Sequence, residues 1–225
     1  MNKITGSILD GLVSLTVPVI LSILSILVLL SPIFTNLEYR RPGFPEDRYG
    51  FSTEERLEYG NLTRRYLVSR QSLEILRELE FDTGEPLYQN RELTHLEDVK
   101  IVLQGVLWFF LAAAVILVLA GLYSRANTRL ATYQRAIARG GRLTAILLVG
   151  ILLLTVVSFQ ALFTNFHLIF FEGDSWLFYY SDTLIRLFPM RFWQDIFLVF
   201  GTLTLAGGVY LGWFMPRIRP DREGE

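Results

Sequence analysis

Four long apolar runs decide what this chain of 225 residues can become. They cover residues 11–34, 99–123, 143–166 and 196–215, each near or beyond the roughly 20 residues that cross a bilayer core as helix. By length alone the chain would suit one or two soluble domains. With 52% hydrophobic residues gathered into these runs, a polytopic, all-α membrane protein with four transmembrane helices is expected instead. Pro18 lies inside the first run and is tolerable there, because neighbouring helices can satisfy the freed carbonyl. Pro216 is expected to stop the fourth. A cleaved signal peptide is the competing reading of the first run, but Pro32 to Asn36 lacks a small-residue cleavage site, so a retained helix is expected.

The cations give an orientation. The segment 124–142 carries Arg125, Arg129, Arg135, Arg139 and Arg142 and no acid. The segment 35–98 holds fourteen acids against nine Arg, and 167–195 holds four acids against two Arg. Lys and Arg stay on the cytoplasmic side, so the arginine loop and both termini are expected there and the two acidic loops outside. His95, just before the second span, and His167, just after the third, then lie at one membrane face. They are the only two histidines in the chain.

The first outer segment, 35–98, reads as a small extracytoplasmic helical cap over the bundle mouth. Ser52 and Glu55 form a capping box for a helix over about 53–69, and Leu73, Leu76 and Leu79 mark a second piece over 72–80. Asn90 is placed to cap a helix continuous into the second span. The alternative is a solvated, partly disordered insert. The second outer segment, 167–195, is an interfacial loop dense in aromatic residues, among them Phe171, Trp176, Phe178, Tyr179, Tyr180, Phe192 and Trp193. Asp182 is placed to cap a short helix over 183–188. Plain interfacial anchoring and contact with acyl chains both suit that composition.

Few residues are left for chemistry. The absence of cysteine removes disulfides, thiolate metal sites and a thiol nucleophile. A net charge of −1 with a single basic segment speaks against a nucleic-acid partner. No cofactor is expected and no metal, since neither a His-Glu-x-x-His helix nor a third histidine exists. Ser175 is only a candidate nucleophile, because no Gly-x-Ser-x-Gly surrounds it. Gly207-Gly208 reads as a helix packing contact and the Asn61-Leu62-Thr63 sequon as incidental. His95 and Asp98 share a helix face, so the carboxylate can orient the imidazole as a base. His167 follows Asn165 at the outer end of the third span. Either histidine can equally be a polar cap with no role.

Two blocks carry a resemblance. Glu92-Leu93-Thr94-His95-Leu96-Glu97-Asp98-Val99, and the stretch from Phe166-His167 through Phe170-Phe171, Gly173-Asp174, Trp176, Asp182, Leu184-Ile185-Arg186-Leu187, Pro189 and Phe192-Trp193 to Asp195, resemble the bacterial four-span lipoprotein intramolecular transacylase family. The resemblance implies a reaction. One acyl chain moves from the sn-2 oxygen of the diacylglyceryl group to the α-amine of a lipoprotein's N-terminal cysteine, giving a lyso-form lipoprotein. It also implies His95 and His167 as the catalytic pair, a diacylglyceryl lipoprotein and membrane lipids as partners, and the bacterial cell membrane as location. Glu92, Asp98 and Asn165 are expected to support the pair. Trp176, Tyr179, Tyr180 and Arg186 are unranked candidates for the donor to the oxyanion. The other readings are a different lipid-ester acyltransferase or lipase, and a non-catalytic membrane scaffold whose cap binds a partner.

Overall fold

The computed structural model describes residues 3–215, and all its regular elements there are helical. Pro216 lies outside the described residues. Four helices are long and apolar enough to cross a membrane. They are α1 (Lys3–Leu29), α5 (Asn90–Ala126), α6 (Leu130–Phe170) and α8 (Met190–Val209), the last prolonged by a π-helical turn, Tyr210–Phe214. The shorter helices are α2 (Pro32–Tyr39), α3 (Thr53–Val68), α4 (Glu74–Arg77) and α7 (Thr183–Leu187). Among the described residues two compact units are formed, one from 3–26, 107–153 and 199–215, the other from 27–106 and 154–198.

In the first unit, glycine sets the helix spacing. A Cβ on Gly140 would lie 2.6 Å from the Ser14 carbonyl oxygen, and one on Gly208 would lie 2.8 Å from the Gly141 carbonyl oxygen. Backbones therefore touch where α6 meets α1 and α8, the small-residue packing of membrane helices. Gly207-Gly208 is the packing contact the sequence suggests. Val13, Ala120 and Ala136 form a small buried cluster beside it. Two polar ties cross the same unit: Thr204 Oγ1 donates to Ser25 Oγ at 2.8 Å, and Arg129 pairs with Asp10 at 3.3 Å.

In the second unit, segment 35–98 is folded on a core that it shares with α7. Phe51, Tyr66, Leu76, Leu87, Leu93, Leu96, Leu184 and Leu187 are buried together. The capping box at Ser52 is present, with the Glu55 amide donating to the serine hydroxyl at 3.2 Å and the Ser52 amide donating to the Glu55 carboxylate at 2.7 Å. That amide, with the serine hydroxyl, holds the Glu55 carboxyl below its ordinary range.

Several boundaries differ from the sequence reading, each for a local reason. The first long helix ends at Leu29 rather than running to Phe34, because Ser31 caps a new helix and Pro32 occupies its first turn. The piece expected over 72–80 is only the single turn Glu74–Arg77. Beyond it the backbone turns back on itself, with Phe81 N–H donating to Glu85 O at 2.8 Å and Leu87 N–H to Leu79 O at 2.8 Å. Helix α6 begins inside the arginine segment and continues through His167, and α8 begins at Met190, not 196. Asp182 precedes α7 without a side-chain capping bond. Its carboxylate instead accepts from Arg91 at 2.6 Å and from the Tyr179 amide at 2.8 Å. At the start of α5 it is Glu92, not Asn90, whose side chain accepts a free amide, that of Gln89, at 2.7 Å.

Candidate active site

Both histidines belong to the second unit, and both are buried, each 8% exposed. His95 stands on the second turn of α5. Glu92, Leu93, His95 and Leu96 are buried and Thr94 and Glu97 exposed, so one side of the helix start is set into the core. Glu92 fixes that start from both sides. One oxygen accepts the Gln89 amide, and the other accepts the Leu184 amide of α7 at 2.7 Å.

His167 stands on the last turns of α6, beyond a break at Ser158 (φ −153°, ψ 71°). After the break, Phe159, Phe163 and His167 recur at four-residue spacing and so lie one above another. Ring centroids are 5.7 Å apart for Phe159 and Phe163, and 4.2 Å for Phe163 and His167.

The two imidazoles face each other, ring centroids 6.1 Å apart and planes inclined by 23°. Aromatic rings enclose them. Phe171 lies 4.8 Å from His95 and 5.6 Å from His167, Phe178 lies 5.4 Å from His95, and Trp176 lies 4.7 Å from His167. Only a group bound between the two rings comes within ~3 Å of both, the range over which a proton is handed on.

Their hydrogen bonds distinguish the rings. His167 Nδ1 is 2.8 Å from the Phe163 carbonyl oxygen. A carbonyl only accepts, so Nδ1 carries the hydrogen, and in the neutral ring Nε2 keeps the lone pair of a base. His95 Nδ1 is buried with no hydrogen-bond partner, and no bond links Asp98 to that ring. The tautomer-fixing role expected of Asp98 at His95 is thus performed at His167 by a backbone carbonyl. The signal was Phe163, four residues earlier on the same helix.

The other candidates separate by environment. Arg186 is bound to Asp47 at 3.0 Å and lies 3.6 Å over the Phe51 ring, which makes it a tie from α7 to segment 35–98. Tyr179 and Tyr180 are 67% and 81% exposed, and the Tyr179 ring stacks under Arg91 at 4.6 Å. Asn165 is exposed and donates to Ala161 O at 2.8 Å within its own helix. Ser175 is half-buried, its hydroxyl donating to Glu172 O at 3.3 Å within its own turn. Trp176 alone combines contact with a histidine and a buried donor, Nε1, that has no partner. Among the described residues no group of three His, Asp or Glu is placed to hold a metal ion.

Comparison with known proteins gives four findings. The family model described as lipoprotein intramolecular transacylase Lit matches residues 11–193. An uncharacterized protein of Aquifex aeolicus is 32% identical over 195 residues, covering 83% of this chain and 86% of that one. The solved structure of the membrane integral lipoprotein intramolecular transacylase Lit from Bacillus cereus is 20% identical, covers 92% of each chain and superposes with a TM-score of 0.77. A second structure of that protein, carrying a histidine-to-arginine substitution, is 19% identical with a TM-score of 0.71, covering 92% of this chain and 88% of that one.

Proposed function

The chain belongs to the lipoprotein intramolecular transacylase family, and from that premise we propose that it carries out the sn-2-to-amine acyl transfer with His95 and His167 as its acid–base pair. The observation that carries the reading is the pair of buried imidazoles facing each other at 6.1 Å inside an aromatic enclosure. Ester aminolysis forms a bond between the cysteine nitrogen and the acyl carbon, breaks the bond from that carbon to the sn-2 oxygen, and moves one proton from nitrogen to oxygen. An α-ammonium with a pKa near ~8 is only partly neutral at pH 7, so a base at the amine assists attack. His167 Nε2 is that base, because Nδ1 is committed to Phe163. The proton it takes is the one the leaving oxygen needs, and His95 is the neighbour that passes it there.

No acyl-enzyme is required. Amine and ester belong to one molecule, and holding them together removes ~7 kcal/mol or more of the barrier. The aromatic walls of Phe171, Trp176 and Phe178 suit acyl chains and exclude water. Charge develops on the ester carbonyl oxygen, and the unpartnered Trp176 N–H is the donor best suited to receive it. The charge bias of the loops supports cytoplasmic termini and a site on the extracytoplasmic face. Thr94→Cys and Asn165→Cys in this cysteine-free chain should both react with a membrane-impermeant thiol reagent added outside; reaction of only one refutes a shared face.

The decisive experiment expresses wild type, His95→Ala and His167→Ala in a bacterial host lacking other N-acylating enzymes. Mass spectrometry of tryptic N-terminal lipopeptides should find the lyso-form only with wild type. Lyso-form product from either membrane-inserted variant at wild-type levels overturns the assignment.

A further inference from the structure

Away from the histidines, the first unit holds a cavity of about 200 Å³ lined by Thr132, Arg135, Ala138, Arg139 and Arg142. All five lie on α6. Residues 135, 139 and 142 follow at four- and three-residue spacing, so their guanidiniums project from one face over about two turns, roughly 10 Å. Segment 124–142 supplies no carboxylate, and among the described residues none of these three arginines is joined to one; Asp10 is engaged by Arg129. Arg135 donates to the Thr132 hydroxyl at 2.8 Å, which leaves its remaining N–H groups for another acceptor.

Retention of positive charge on one side of the membrane requires arginines in the segment, but not three exposed arginines lining one open pocket on the same helix face. Three like charges on successive turns repel, and an anion among them relieves the repulsion. The fork of guanidinium donors matches the oxygens of a phosphate, singly or in pairs. The neighbouring surface of α6 turns apolar at once, with Ile146 and Leu147 exposed one turn beyond Arg142. A headgroup phosphate held by the arginines would therefore have its acyl chains beside an apolar helix face.

We propose that this arginine-lined cavity is a phosphate-binding site occupied by the headgroup of an anionic phospholipid. It is independent of the histidine pair and of the reaction assigned to it. The same chemistry accepts free phosphate, so the test separates the two sources.

The full-length protein, purified in detergent, is analysed by native mass spectrometry with phosphatidylglycerol, phosphatidylcholine or inorganic phosphate added. Wild type should retain phosphatidylglycerol at least tenfold better than phosphatidylcholine, whose choline the arginines repel. Arg135→Gln/Arg139→Gln should lose that preference, and Arg135→Lys/Arg139→Lys should keep part of it, since charge survives while the fork is lost. Thermal unfolding of both variants identifies any loss that comes from misfolding, and the lysine variant then carries the test. Displacement of phosphatidylglycerol by millimolar inorganic phosphate assigns the site to phosphate from either source; retention against it assigns the site to the lipid. Equal retention of the two lipids, or a preference unchanged in the glutamine variant, overturns the proposal.

Discussion

The imidazole planes of His95 and His167 are inclined by only 23° with 6.1 Å between centroids, although 72 positions separate the two residues in sequence. His95 is set by the Glu92 clamp at the start of α5, and His167 by the Phe163 carbonyl after the break in α6. Two rings acting on one proton form a unit, and the effects of removing parts of a unit do not add. Each single alanine substitution should lower the rate of lyso-form production by about 10²–10⁴, the range of general acid–base assistance. The double variant should lie no lower than the worse single within error. A double loss equal to the product of the singles would mean that the rings act on separate steps.

Trp176→Phe tests the donor assigned to the indole. Phenylalanine preserves a ring against His167, 4.7 Å away in the native protein, and deletes only the N–H. A buried donor without a partner costs ~1–3 kcal/mol, so the variant should unfold at the same temperature or a slightly higher one. Its rate at saturating substrate should fall by about 10²–10³, the usual effect of one lost oxyanion donor, with apparent KM nearly unchanged. Wild-type kcat would reduce Trp176 to a wall of the enclosure.

Much of this was legible in the sequence. Four apolar runs gave the four long helices, Ser52 and Glu55 gave a capping box, and two lone histidines gave the pair. Less legible was what depends on distant partners. Asp98 shares a helix face with His95, but spacing alone does not reveal that a carbonyl orients the other ring. Arg186 reads as an oxyanion donor from its place in the aromatic loop, until Asp47, 139 residues earlier, claims it. Asp182 reads as a helix cap and is instead drawn to Arg91, 91 residues away. Local propensity governs caps and spans, whereas charged side chains choose among partners that only the fold brings near.

Glu92 separates architecture from chemistry. Its two oxygens accept the Gln89 and Leu184 amides, and its side chain is 1% exposed. Glu92→Ala leaves the buried Leu184 amide without its partner, at ~1–3 kcal/mol, and returns the amide of the exposed Gln89 to solvent. Unfolding should shift down by about 2–4 °C for each kcal/mol lost, as expected for a chain of this size. Activity should fall with the folded fraction and recover on cooling or on addition of lipid. Full stability with abolished activity would instead place the carboxylate in the reaction.

Glu38 gives a pH signature that needs no substrate. It lies in the last turn of α2, buried beside Asp195, which is also bound by Arg41 and by Arg191 at 2.8 Å. Burial raises its pKa from 4.5 to about 7, the Asp195 carboxylate adds to the rise, and Arg41 and Arg191 oppose it. The fold therefore favours the protonated acid. The stabilisation from this group is complete below pH 4.5 and is lost as pH rises through about 7. Glu38→Gln holds a neutral amide at all pH and should behave like wild type near pH 4.5 but unfold at higher temperature at pH 8. Discounted for solvent access to about 1 kcal/mol, the difference is about 2–4 °C. Thermal unfolding in detergent from pH 4.5 to 8 measures it. A gap that is constant with pH, or one in which the variant loses stability relative to wild type as pH rises, would show that Glu38 is ionised in the folded protein.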